Sequence, residues 1–170
     1  HKRTNKRKQY VKEDKRVTIM EGIHALNPAI TKGLDKAKIY KVYVHCNTNF
    51  TFEDRILFFA RELRLIRRLV RDERERQVPF QGTIDVWQDV CNGEESNIRP
   101  FKDRADYLLN STHYYEPLLY KNLILEKLIN IKNQSDTVKM LIEKFKVCST
   151  ISSQFVPKDS LIREFIGEEI

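Results

Sequence analysis

The stretch RLIRRLVRDERER, residues 64–76, carries two overlapping patterns that decide how the fold is interpreted. Apolar residues recur here and just before it at the three- and four-residue spacing of a buried helical stripe, namely Ile56, Phe59, Leu63, Ile66 and Val70. Arg64, Arg68 and Arg71 follow the same spacing on a different face. The two patterns predict one helix, running from Phe50 to about Arg76, with a buried side and an arginine side.

The arginine side favours an anionic ligand. Like charges four residues apart repel by a few tenths of a kcal/mol on an isolated helix. The planar guanidinium gives phosphate paired, charge-assisted hydrogen bonds, which would offset that repulsion. The alternative is a solvent-exposed helix whose arginines are neutralised locally by its own acids, Glu62, Asp72, Glu73 and Glu75. Spacing alone does not choose between the two.

Size and charge bound the class of protein. The 170 residues are enough for one domain with a core, and 41% hydrophobic with 32% charged residues is typical of a globular chain. The net charge of +7 favours anionic partners. Much of this excess lies in His1 to Arg16, interpreted either as a basic arm for nucleic acid or as a solvated loop before the first strand.

The cysteines and the absence of long apolar runs indicate a compartment. Cys46, Cys91 and Cys148 are odd in number and show no metal-binding spacing, so we expect reduced thiols in a cytosol. The start of the sequence is polar and basic, and the longest apolar run, Ile56 to Ala60, is too short to span a bilayer. We therefore predict a cytoplasmic protein without a membrane partner.

Three short apolar runs predict strands of a parallel α/β unit. The first, Arg16 to Met20, is interpreted as a buried strand with Glu21 at its carboxyl end. The second, Ile39 to Cys46, places Tyr40, Val42, Val44 and Cys46 on one side. Ala105 to Asn110 is the third. Strand, crossover and strand in this order favour parallel pairing.

The remaining elements are predicted to be mostly helical. Pro79, Gln81 and Gly82 break the arginine helix, and Thr83 caps a second helix from Ile84 to about Cys91. The later predictions are a turn at Asn92 to Glu95, helices at about Pro117 to Ile131 and Asp136 to Val147, and a capped turn with a short helix at Val156 to Ile166, with Asp159 or Ser160 as the cap.

Several of these segments together resemble the uridine kinase and phosphoribulokinase family of P-loop kinases. Residues 17–27, VTIMEGIHALN, are similar to that family's strand ending in E-G-I-H-x-L-N, and residues 64–72 are similar to its R-L-x-R-R-x-V-R-D lid helix. The ending SLIREFIG, residues 160–167, resembles the bacterial nucleoside-kinase-like subgroup. Matching residues occur in the family's order over nearly all of the chain, including Trp87, Gly93-Glu94, Pro100-Phe101, Ala105-Asp106, Asn110-Ser111 and Tyr115-Glu116.

One family motif is missing. The phosphate-binding loop G-x-x-x-x-G-K-[ST] does not occur in the sequence. By resemblance the chain is expected to be the C-terminal half of a kinase, with the P-loop half absent. Residues 1–112 would then be the C-terminal part of an α/β domain with a partial P-loop-kinase-type parallel sheet and a lid at about 54–91, and residues 113–170 a helical C-terminal extension.

The resemblance implies an activity and roles for individual residues. The family transfers the γ-phosphoryl group of ATP to the 5′-hydroxyl of a nucleoside, with ATP and Mg²⁺ as cofactors. It implies catalytic roles for Glu21, Arg68 and Arg71, with Glu21 holding Mg²⁺ directly or through water, and substrate or nucleotide binding by His1, Arg64 and Arg67. Arg67 lies nearer the apolar stripe, so it could instead pack and pair with an acid.

Partners and competing functions follow from the same comparison. A nucleoside and ATP are the expected partners, nucleic acid is disfavoured, and a homo-oligomer is compatible with the family. Two alternatives stay open: a non-catalytic nucleotide- or RNA-binding regulatory module of the same fold, and a phosphoribulokinase-like sugar kinase. The 170 residues alone are predicted to lack kinase activity, because they lack the phosphate-binding loop.

Overall fold

A computed structural model of the chain describes residues 17–167. The basic segment from His1 to Arg16, and with it the prediction that His1 contacts substrate, lies outside the described residues. The described elements are the strands β1 (Val42–His45), β2 (Phe50–Phe52), β3 (Arg55–Phe58) and β4 (Tyr107–Asn110), and the helices α1 (Ala60–Arg76), α2 (Phe80–Asp85), α3 (Trp87–Asn97), α4 (Glu116–Ile129), α5 (Asp136–Val147) and α6 (Arg163–Ile166). Short 3₁₀ helices occupy Lys36–Lys38, Arg99–Arg104 and Ser153–Phe155.

The arginine helix exists but is shorter than predicted. It begins at Ala60, where Glu62 accepts a hydrogen bond from the Phe59 backbone N–H at 2.8 Å, which satisfies a donor that the helix leaves free. It ends at Arg76, because Gln77 adopts the left-handed conformation with φ 55°. The predicted start at Phe50 is wrong.

A β-hairpin replaces the first part of the predicted helix. The strands β2 and β3 are antiparallel and joined through Glu53 and Asp54, whose φ angles are 48° and 60°. Such tight turns usually carry Asn-Gly or Asp-Gly, and neither pair is present here. Ile56 and Phe59, which matched the helical stripe, are therefore about half exposed rather than buried on α1.

The core forms where α1 meets the C-terminal helices. Helix α1 packs against α2, α4 and α6, and α4 packs against α5. Phe58 at the end of β3 contacts Phe145 of α5, with ring centroids 4.9 Å apart. The large side chains that are fully buried come from β3, α1, α4, α5 and the residue before α6, among them Leu63, Leu65, Ile66, Leu69, Leu119, Ile124, Leu128, Leu141 and Ile162. None of the described helices is long and apolar enough to cross a membrane.

A small parallel sheet confirms the α/β class. Strands β1 and β4 pair in parallel, with Val42 opposite Tyr107 and His45 opposite Asn110. Both were predicted, at Ile39 to Cys46 and Ala105 to Asn110, and both are shorter than expected. Val42 and Val44 share the exposed side of β1, whereas Tyr43 and His45 are half-buried on the other.

The first predicted strand does not form within the described residues. Val17 to Met20 is irregular, and the side chains of Val17 and Ile19 are 91% and 87% exposed. A strand is stabilised by a neighbour that pairs with its backbone, and no described segment pairs with this one. Glu21 is therefore not at the end of a sheet strand.

The later helices agree better with the sequence patterns. Helix α5 has the predicted bounds and begins after Ser135, whose hydroxyl accepts a hydrogen bond from the Val138 N–H. Helix α4 starts one residue before Pro117, and Ser160 accepts a hydrogen bond from Ile162 just before α6. The predicted turn at Asn92 to Glu95 is wrong, because those residues are helical within α3. Thr83 lies inside α2 rather than capping a helix.

Candidate functional site

The arginine side of α1 faces a cavity of about 190 Å³, called the arginine cavity below. Its wall is formed by Val44, His45, Cys46, Arg64, Arg67, Arg68, Arg71, Trp87, Val90, Ser111 and Phe165. His45 and Cys46 lie at the carboxyl end of β1, and Ser111 directly follows β4. Ligands of open α/β sheets bind at the carboxyl ends of the parallel strands, so the cavity occupies the expected position for a ligand.

Arg67 is the buried arginine of this wall. Its Nε and Nη2 atoms donate to the two carboxylate oxygens of Glu116 at 2.7 and 2.6 Å, and Nη1 and Nη2 donate to the Oγ and backbone oxygen of Ser111. Glu116 is fully buried, and its hydrogen bonds hold the pKa of Arg67 above its ordinary value despite burial, which alone would lower it. Arg67 thus joins α1 to the start of α4 and to the end of β4.

Arg68 has more N–H donors without a partner than Arg67 does. Its Nε lies 3.0 Å from Asp72, but this ion pair is not aligned as a hydrogen bond. Asp72 also accepts hydrogen bonds from Arg76 at 2.7 Å and from Thr83 at 3.3 Å. No carboxylate other than Asp72 pairs with Arg68 in residues 17–167. Its two terminal nitrogens are therefore available to an anion in the cavity.

Arg71 and Arg64 are each held by an acid from another helix. Arg71 donates to Glu164 of α6 at 3.1 Å, while its buried Nε has no hydrogen-bond partner among the described residues. Arg64 pairs with Glu94 of α3. Phe165 of α6 also lines the cavity, with the guanidinium carbons of Arg67 and Arg71 at 4.9 and 5.6 Å from its ring centroid.

The paired acids lie behind the arginines rather than in the cavity wall. Glu94, Glu116, Asp72 and Glu164 are not among the lining residues, so the wall itself carries four guanidiniums and no carboxylate. Two of the acids on α1 neutralise arginines of the same helix: Asp72 pairs with Arg68 and Arg76, and Glu75 pairs with Arg74. Glu62 pairs instead with Lys144 of α5, and Glu73 with Lys127 of α4. The four guanidiniums of the wall are therefore paired with carboxylates that do not themselves line the cavity.

His45, Cys46 and Ser111 belong to the same cavity and were missed as site residues. Burial, Lys102 and Arg64 lower the pKa of His45 below its ordinary value, which favours the neutral imidazole. Burial raises the pKa of the Cys46 thiol, so the thiolate nucleophile is disfavoured. The signal that could have found them is positional: each stands at or just after the carboxyl end of a predicted strand.

Glu21 is not brought to the arginines. It is exposed in an irregular segment before the turn at Gly22 and does not line the arginine cavity. Within residues 17–167, no group of three or more His, Cys, Asp or Glu side chains could hold a metal ion. The metal-binding role of Glu21 therefore stays a prediction.

The size of the arginine cavity limits what it can hold. Pockets that enclose a small organic ligand usually measure about 300–1,000 Å³. At about 190 Å³ the cavity fits a phosphate or diphosphate group better than a whole nucleotide. A nucleotide bound there would place its phosphates in the cavity and its base outside.

Comparison with models of protein families, with curated proteins and with solved structures gives no match for this chain.

Proposed function

We propose that this chain is the phosphate-binding part of an ATP-dependent nucleoside kinase of the uridine kinase type, which transfers the γ-phosphoryl group to a nucleoside 5′-hydroxyl. The observation that carries the proposal is the convergence of four arginines on one cavity at the carboxyl ends of two parallel strands. The resemblance of residues 17–27 and 64–72 to the family motifs supports the choice of reaction.

The arginines would act by positioning and by stabilising charge. Phosphoryl transfer spreads negative charge over the oxygens of the transferred group, and fixed guanidiniums at that position lower the barrier. Arg68 and Arg71 would contact the phosphate, because both line the cavity and each has terminal nitrogen donors that its single acidic partner, Asp72 or Glu164, does not use. Arg67 would orient the site through Glu116 and Ser111, and Arg64 would contact the outer phosphates.

Of the two cofactors of the proposed reaction, ATP fits the described residues better than Mg²⁺ does. The phosphates of ATP fit a wall of guanidiniums, which give bidentate hydrogen bonds to phosphate. Mg²⁺ prefers several oxygen ligands, and the described residues do not gather them around Glu21. The phosphate-binding loop of the family is likewise absent from the 170 residues.

The test is a nucleoside phosphorylation assay on the gene product that contains this sequence, with uridine or cytidine, ATP and Mg²⁺. We expect turnover, and we expect Arg68→Ala and Arg71→Ala to reduce kcat/KM by at least 100-fold, which corresponds to about 2.7 kcal/mol of lost transition-state stabilisation. Arg55→Ala is the matched control, because Arg55 is an exposed arginine on β3. It should leave kcat/KM unchanged.

Two results would contradict the proposal. Unchanged kcat/KM in both arginine variants would return the arginine face of α1 to a structural role. Phosphorylation of a nucleoside by the 170 residues alone would show that the phosphate-binding loop is dispensable, which the family chemistry does not allow.

A non-catalytic nucleotide-binding module is the second candidate. The observation that favours it is that Glu21 lies away from the arginine cavity and that the described residues offer no metal-binding group. Such a module would bind ATP through Arg68 but give no turnover with any nucleoside. Calorimetric ATP binding that is lost in Arg68→Ala, without turnover in the full gene product, would support it.

A further inference from the structure

A second, smaller cavity adjoins the arginine cavity and is called the Arg99 cavity below. It measures about 140 Å³ and lies between the carboxyl end of β1, the start of α1, the end of α3 and the 3₁₀ helix Arg99–Arg104. Its wall is formed by Tyr43, His45, Cys46, Asn47, Ala60, Arg61, Arg64, Glu94, Glu95, Arg99 and Lys102.

The two cavities share part of their walls. His45, Cys46 and Arg64 line both, so the two cavities adjoin at these three residues. Arg64 is the charged group at this junction, and its present partner is Glu94. A guanidinium has five N–H donors, so Arg64 can contact an anion while keeping part of its pairing with Glu94.

The charge of the Arg99 cavity is also positive. Its wall carries four cationic side chains, Arg61, Arg64, Arg99 and Lys102, against two carboxylates. Glu95 is shared by Arg61 and Arg99, so one acid serves two guanidiniums. No carboxylate in residues 17–167 pairs with Lys102. The cavity therefore retains cationic donors that its own acids do not use.

We propose that the Arg99 cavity is a second anion subsite, and that the natural ligand carries a chain of two or more phosphates spanning both cavities past Arg64 and His45. The inference rests on the proposed phosphate role of the arginine cavity and specifies its ligand: a polyphosphate chain rather than a single phosphate. Linking two subsites raises affinity because the second contact is made within the bound molecule.

The test compares three inorganic probes by isothermal titration calorimetry on the 170-residue chain: phosphate, pyrophosphate and tripolyphosphate. We expect tripolyphosphate to bind at least tenfold more tightly than phosphate. The double variant Arg99→Ala with Lys102→Ala should weaken tripolyphosphate binding at least tenfold and phosphate binding less than twofold. Arg68→Ala should weaken both probes.

The matched control is Arg104→Ala, because Arg104 lies on the same 3₁₀ helix as Arg99 but lines neither cavity. Circular dichroism checks that each variant is folded, and Arg99→Gln with Lys102→Gln replaces any variant that is not. Equal loss of phosphate and tripolyphosphate binding in the double variant, or no loss, would overturn the second subsite while leaving the arginine cavity intact. Failure of the wild-type chain to bind all three probes would contradict both proposals.

Discussion

At the scale of single residues, the arginines of α1 have different environments, and their substitutions should differ accordingly. Arg67→Ala leaves the carboxylate of Glu116 buried without its partner, which costs about 3–5 kcal/mol of unfolding free energy. Arg68→Ala removes a partly exposed side chain with one ion pair, so we expect a loss below about 1 kcal/mol. Urea denaturation of both variants measures the difference.

The double variant Arg67→Met with Glu116→Leu is the control for that prediction. It removes both charges, so no buried charge is left unpaired, and it should recover much of the stability lost in Arg67→Ala. If Arg67→Ala and the wild-type chain had the same midpoint and slope in urea denaturation, the buried pair of Arg67 and Glu116 would not be what holds α1 to α4.

His45 gives a prediction that depends on pH. Burial, Lys102 and Arg64 lower its pKa, and Glu94 opposes this shift. We expect a pKa below 6.5 in the free protein, measured by NMR from the imidazole protons, and a higher pKa when inorganic phosphate is added. Phosphate supplies the negative charge that the imidazolium lacks in the free cavity. A pKa that phosphate leaves unchanged would place the anion away from His45.

The same shift has a defined sign for stability. The lowered pKa means that the unfolded chain binds more protons at His45 than the folded chain does. Stability from this residue is therefore complete above about pH 6.5 and falls as the pH decreases toward the pKa of the folded state. His45→Gln should lose less stability than the wild-type chain between pH 7.5 and 5.5, as measured by thermal unfolding.

Helical spacing in the sequence predicted which arginines share a face of α1, but it did not predict which acids from other helices pair with them. Arg64, Arg68 and Arg71 were predicted from helical spacing, and all three line the cavity. Their partners Glu94 and Glu164 lie on other helices, and Glu116 is 49 residues from Arg67. Such contacts depend on how helices pack, and the spacing of residues within one helix carries no information about that packing.

At the scale of elements, the short helix α6 contacts the arginine cavity directly. Glu164 accepts a hydrogen bond from Arg71, and the Glu164 backbone oxygen accepts one from Arg74 at 2.6 Å. Glu164→Gln removes the competing charge but keeps the size of the side chain, so we expect phosphate affinity to increase about two- to fivefold. Calorimetry measures the change, and Glu143→Gln, which alters a distant ion pair with Lys146, is the control. A weaker affinity in Glu164→Gln would mean that Glu164 orients Arg71 for the anion.

The hairpin of β2 and β3 offers a test of backbone strain. Asp54 has φ 60°, a conformation that costs a residue with a Cβ atom about 1 kcal/mol and glycine much less. Asp54→Gly removes this cost, but glycine also adds conformational freedom to the unfolded chain, so we expect a net stabilisation below about 0.5 kcal/mol. The increase would be measured by urea denaturation, and a clear loss of stability would show that the Asp54 side chain supports the turn.

Element prediction succeeded where the sequence carried both a cap and a regular spacing, and it failed where spacing or composition stood alone. Helix α5 has the expected bounds, because Ser135 caps it and its apolar spacing is regular. Ile56 and Phe59 matched the spacing of a helical stripe, and the turn at Glu53 and Asp54 lacks the glycine that would have indicated a hairpin. Val17 to Met20 has strand-like composition, but composition cannot supply the neighbouring strand that pairing requires.

At the scale of the whole molecule, the helical core is much more completely buried than the sheet. The core of α1, α4 and α5 buries many side chains completely. Between residues 17 and 167 the sheet has two four-residue strands, with Val44 and Leu108 56% and 48% exposed. Parallel sheets in proteins are normally covered on both faces. The arginine cavity lies between these two regions, because α1 contributes the arginines while the strand ends contribute His45 and Ser111.

The difference in burial between the helical core and the sheet should determine how fast the amide protons of each region exchange with deuterium. Amides of β1 and β4 can open locally and exchange early, whereas those of α1 and α4 exchange only when the core unfolds. An anion that contacts both the arginines of α1 and the ends of β1 and β4 would link the helical core to the sheet, so that the sheet opens less often. Added tripolyphosphate should then slow deuterium uptake in residues 42–46 and 107–111 more than in any other described segment. The bound ligand would thus stabilise the strand ends that form one wall of its own site.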